Sequence, residues 1–197
     1  VSEQAGLMQG RGTSRRWLFA ALLALWAVTA MAQAAEGVSV RRAVIEPRED
    51  GHYLSARIDY RLTPEVIEAL DSGVTLSFQL RVQLEEPRRW WMDRELAALE
   101  LRYSLRYHAL SGRYVLVRLD TGESRSFATR GSALYVLGQV EGLRLLGPQA
   151  LEPGERYTAR LHAALDTAAL PLPLRTLAVM SPAWRLGSEW YEWHFDG

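Results

Sequence analysis

Four histidines, His52, His108, His162 and His194, are the first residues of the 197-residue chain to ask for chemistry, and each stands alone. No H-x-H or H-E-x-x-H spacing sets two imidazoles on one face for a metal, and His194 with Asp196 would need a third ligand from elsewhere. No metal site is expected. Nucleophiles are no better provided: there is no G-x-S-x-G elbow, and Ser132, after Gly131, reads as a helix cap. Gly138, Gly142 and Gly147 run through a helix and its end, not through a strand-to-helix loop that would cradle phosphate, so no cofactor is expected. The Glu85-Glu86 pair has the residue type for acid and base work on a sugar, but neighbouring strand residues point to opposite faces and cannot converge without a bulge. No catalytic residue is assigned, and the chain reads as a binding protein rather than an enzyme.

Aromatic and arginine clusters stand out more. "EPRRWWMDRE", Glu86 to Glu95, places Arg88, Arg89, Trp90 and Trp91 directly after a strand, where large aromatic surface is costly. Two uses fit. The tryptophans close one end of a core, with indole N–H groups partnered and the arginines stacked or paired with acids. Alternatively Arg88, Arg89, Trp90 and Trp91 grip a sugar, a peptide or a partner protein. Near the C-terminus "EWYEWHF" sets Tyr191, Trp193 and Phe195 on one strand face and Trp190, Glu192 and His194 on the other. The all-aromatic face is the core face. Trp190 is then the tryptophan left for recognition, and Arg89, Trp90 and Trp190 are expected to share one surface.

The elements that must carry these residues are strands with one wet face. Leu54, Ala56, Ile58, Tyr60 and Leu62 alternate with Arg57, Asp59 and Arg61. Val74, Leu76, Phe78, Leu80, Val82 and Leu84 alternate with polar residues even more regularly. Between these two strands Thr63 as N-cap and Pro64 at the first helical position open a short helix to about Leu70. Leu101, Tyr103, Leu105, Tyr107 and Ala109 form one arm of a hairpin that turns at Ser111-Gly112 into "RYVLVRL". From Ser132, the spacing of Leu134, Leu137, Val140 and Leu143 predicts a second helix. Tyr157, Ala159, Leu161, Ala163 and Leu165 form another strand, and the prolines of "ALPLPLRTLAVM" suit an edge or a connection. Short turns and one-faced alternation predict an antiparallel arrangement. The expected fold is a mainly β, immunoglobulin-like sandwich with two short helical insertions.

The N-terminus reads as a secretory signal peptide over residues 1–34, started from Met8: Arg11, Arg15 and Arg16 precede "WLFAALLALWAVTAMA" and an Ala-x-Ala site ends at Ala34. An uncleaved inner-membrane anchor and a twin-arginine signal are the alternatives. Residues 35–197 then form a single domain that is periplasmic or secreted, with no membrane span after cleavage. All 23 basic residues are arginine, a usage typical of a GC-rich bacterial genome, and there is no cysteine. Disulfides, thiolates, Cys-ligated zinc and a lipoprotein anchor are excluded together. After residue 34 there are 20 arginines against 22 acids. That balance implies neither nucleic acid nor an acidic membrane surface as partner.

The order of these features resembles the DUF4390 family of exported proteobacterial proteins. The resemblance covers nearly the whole mature chain. It is carried by "RRWWMDRELAALELRYSLRYHALSGRYVL", by "LEPGERYTARLHAALDTAALPLPLR" and by the terminal "WRLGSEWYEW". The family has no assigned reaction, so the resemblance implies location and fold only, together with a gene neighbourhood that often includes a membrane histidine kinase of the nitrogen-regulation type. The expected role is a binding or accessory domain for a protein or envelope component. Its rivals are a partner of that kinase and an enzyme acting on carbohydrate or cell wall.

Overall fold

The computed structural model describes residues 36–86 and 94–197. Residues 1–34, expected to be a signal peptide, and the tetrad Arg88, Arg89, Trp90 and Trp91 lie outside the described residues.

The alternating segments form the strands their pattern dictates. Strands β1 (Gly37–Arg48) and β2 (Gly51–Arg61) make an antiparallel hairpin, and β7 (Gln139–Leu146) pairs with β2 from its other side. A second antiparallel sheet runs in the order β6-β5-β4-β3-β8-β9, from β6 (Ser124–Phe127) through β5 (Arg113–Arg118), β4 (Arg94–His108), β3 (Leu76–Glu86) and β8 (Arg156–Leu165) to β9 (Tyr191–Asp196). Among the described residues the protein is thus mainly β, in two antiparallel sheets that share a core.

That core is the sum of the inward faces. Leu54, Ile58 and Tyr60 from the three-stranded sheet meet Leu76, Phe78, Leu80, Val82, Leu161 and Leu165 from the six-stranded one, all buried. The Tyr60 and Phe78 rings meet edge to face at 5.3 Å, which ties the two sheets together. At about 25 cal/mol per Å² of apolar surface, this burial is the main term opposing chain entropy in a chain without disulfides.

Three α-helices accompany the sheets where two were expected. Helix α1 (Pro64–Asp71) begins at Thr63 as read, although the Thr63 hydroxyl donates to the Ala183 carbonyl at 2.9 Å instead of capping the helix. Helix α2 (Arg130–Leu137) is capped by Thr129, whose hydroxyl accepts from the Ser132 N–H at 3.1 Å, so Ser132 is the capped residue and not the cap. The helix expected to run on to Leu143 stops at Leu137. The Gly138 carbonyl accepts from the Ile58 N–H at 2.9 Å, and a Cβ there would collide with the Ile58 carbonyl. The chain is pressed against β2 at that point and continues as β7, with Gly142 at φ +61° allowing a left-handed step within the strand.

Helix α3 (Leu172–Met180) replaces the expected edge or connection. Its prolines stand at the start, where a missing N–H and a fixed φ are harmless, so "PLP" opens the helix rather than preventing it. A 3₁₀ turn at Thr167–Ala169 precedes it and another at Pro182–Trp184 follows.

Candidate functional site

The outward face of the six-stranded sheet is built by the residues that alternate with the core ones. In β8 these are Thr158, Arg160, His162 and Ala164, of which Thr158 and Ala164 are themselves buried, and in β3 they are Gln79, Arg81, Gln83 and Glu85. Strand register sets them in rows. Glu100 lies opposite Arg81, and Arg81 opposite His162. Leu161 pairs with Tyr191, which brings the preceding Trp190 beside His162, their ring centroids 5.1 Å apart and inclined by 36°. A row of four side chains, Glu100-Arg81-His162-Trp190, therefore crosses β4, β3 and β8 to the start of β9.

The neighbouring row, Gln83-Arg160-Glu192, is held by charge. Arg160 Nε donates to Glu192 Oε2 at 2.8 Å and its Nη1 to Glu85 Oε1 at 3.3 Å, which joins three strands through one guanidinium. At the other end of the first row, Arg102 Nε donates to Glu100 Oε1 at 2.6 Å, while Arg81 Nη2 donates to Gln79 Oε1 at 3.1 Å. The Arg102 hydrogen bond is the main reason the Glu100 carboxyl sits below its ordinary range.

His162 is the unusual member. Its Nδ1 is buried with no hydrogen-bond partner in the structure. Burial lowers its pKa from the ordinary 6.5, the Arg81 charge lowers it further, and Glu189 works in the opposite direction. Burial thus favours the neutral form of the imidazole, against which the Trp190 indole lies. Trp190 remains 44% exposed, so one indole face meets the histidine and the rest is offered to solvent.

The sequence pointed to Trp190 but passed over His162 as one of four scattered histidines. Its place on the wet side of the β8 alternation was the available signal. The odd residues Tyr191, Trp193 and Phe195 are half-buried toward the core while Glu192 and His194 are exposed, as the aromatic alternation implied. His194 Nδ1 lies 3.1 Å from the Thr158 hydroxyl and Asp196 lies 3.8 Å from Arg156. Among the described residues no three His, Asp or Glu side chains come together to hold a metal. The expected common surface of Arg89, Trp90 and Trp190 rests on two residues outside the described set.

Another concavity, of about 710 Å³, is lined by residues of β4, β5 and β7, with Leu101, Leu116 and Val140 among them. Its arginines are already engaged: Arg118 with Asp120 at 2.8 Å, Arg125 with Glu123 at 2.7 Å, and Arg144 with the Asp50 carbonyl at 2.8 Å. A ligand there would compete with pairs the protein makes with itself.

Fold and site together define a two-sheet β protein whose large sheet turns a polar, tryptophan-edged face outward. The chain belongs to the DUF4390 family, a domain of unknown function, whose profile matches residues 35–194. No curated protein and no solved structure matches it.

Proposed function

We propose that the protein is an exported, periplasmic binding or accessory domain that recognises a protein or envelope component, with no chemistry of its own. The observation that carries this reading is Trp190, half exposed against the His162 ring within a field of arginine, glutamate and glutamine side chains held in strand register. Amphipathic aromatics among such groups are what recognition surfaces use for most of their affinity. The polar groups are anchored: Arg160 is fixed by two carboxylates and Glu100 by Arg102, so little side-chain freedom is lost when a partner docks.

An enzymatic reading would need a carboxylate presented for proton transfer beside the tryptophan. Among the carboxylates around that row, Glu100 accepts from Arg102 and Glu85 and Glu192 accept from Arg160, while Glu189, the residue before Trp190, acts on His162 through its charge. That arrangement supports binding and not general acid catalysis.

Affinity capture from crosslinked bacterial envelopes tests the proposal. Wild-type protein is expected to retain a partner that Trp190→Ala loses while its circular dichroism stays unchanged. Equal capture by a folded Trp190→Ala variant would remove the outer sheet face from consideration.

A further inference from the structure

We infer that helix α3 is a membrane-contact element, laid with its apolar side in the headgroup region of an anionic lipid surface. The helix is inverted relative to an ordinary surface helix. Its buried side is small, chiefly Ala178, while Leu172, Leu177, Val179 and Met180 are 74%, 58%, 66% and 78% exposed. Leu172 with Val179 and Met180, seven and eight residues on, share one helical face, with Leu177 on its flank. Half of the large hydrophobic residues exposed among the described residues thus belong to nine positions.

Three observations favour lipid over a protein partner. First, from Thr167 to Ser188 there is no acidic residue, and the only charges are Arg175 and Arg185, which suits anionic headgroups. Second, the polar groups around the face bond inward. Arg175 donates to the Leu170 carbonyl at 3.1 Å, the Thr176 hydroxyl to the Leu172 carbonyl at 3.3 Å, and Arg185 to the Val179 carbonyl at 3.5 Å. These bonds use only part of each guanidinium, which leaves donors for headgroup phosphates, while the four apolar side chains present no directional group and hydrocarbon asks for none. Third, the four side chains expose on the order of 500 Å², short of the ~800 Å² that each partner of a standard protein interface covers. Beside the helix a shallow groove of about 470 Å³, walled by Leu165, Ala178, Val179 and Trp184 with Arg185 among them, offers room along which an acyl chain can lie. Among the described residues no helix is long and apolar enough to cross a membrane, so this contact lies on the surface.

The absence of cysteine makes site-specific labelling direct. Full-length protein is labelled with an environment-sensitive fluorophore at Met180→Cys or, as a control, at Leu110→Cys in the fully exposed β4–β5 turn. Each is mixed with vesicles of phosphatidylcholine, with or without phosphatidylglycerol. The expected result is a blue shift and quenching by lipid-borne nitroxide at position 180, stronger with phosphatidylglycerol, absent at position 110, and lost in Leu172→Gln/Val179→Gln protein of unchanged circular dichroism. The same response at both positions would show that another segment attaches the chain and would overturn the inference. So would no response at 180, or a shift there that needs no vesicles and grows with protein concentration, the sign of a second copy covering the helix.

Discussion

Strand β8 has two faces that do different work with the same backbone. Inward, Tyr157, Ala159, Leu161, Ala163 and Leu165 are all buried in the core. Outward, Thr158, Arg160 and His162 engage His194, Glu192 and Trp190 across the strand boundary with β9. The inward contacts are non-directional and their worth follows buried area. Of the outward ones, the Arg160–Glu192 pair is directional and partly solvated, so it adds little to stability but fixes the shape of a surface. Stability and recognition are therefore separable residue by residue along one strand.

The sharpest way to break that separation is on the inward side. Leu161→Ala is expected to cost about 2–5 kcal/mol, read as a lower denaturant midpoint, because the side chain is wholly buried and its neighbours belong to two sheets. Gly138→Ala is expected to cost about 1–3 kcal/mol by the same measurement, since the new methyl group meets the Ile58 carbonyl. On the outward side Arg160→Ala is expected to change the midpoint by no more than about 1 kcal/mol, because the side chain and Glu192 are partly solvated. A large loss there would mean that the outer face is structural.

The smallest effect is a pH dependence. Burial lowers the folded-state pKa of His162 below 6.5, so the unfolded chain binds the proton more readily in mildly acid solution. Its contribution is full above pH 6.5 and is lost as pH falls through the lower folded value. Denaturation midpoints measured on either side of pH 6.5 should therefore differ less in His162→Gln than in the wild type.

The inward faces of β2, β3, β8 and the β4–β5 hairpin were legible because their alternation is unbroken. Strand β1 escaped notice because the register shifts between Val40 and Arg42, which moves the buried positions from Val38 to Ala43 and reverses the phase. Strand β7 was hidden for a related reason: irregular pairing with β2 places its buried residues at Val140 and Leu145, and the threefold spacing of its leucines imitates a helix. Helix α3 was misread because its solvent face is apolar, so the polar half of an amphipathic pattern is missing. The His162–Trp190 stack joins residues 28 positions apart and depends on the β8–β9 register, which no local pattern contains.

The most direct test of the account is photocrosslinking from the outer face. A photoreactive phenylalanine analogue at Trp190 is compared in intact cells with the same analogue at Tyr135, an exposed aromatic on α2. The account predicts a discrete crosslinked product from position 190, weakened by Arg81→Ala, and none from position 135. Products from position 135 alone would place recognition at α2 and contradict it.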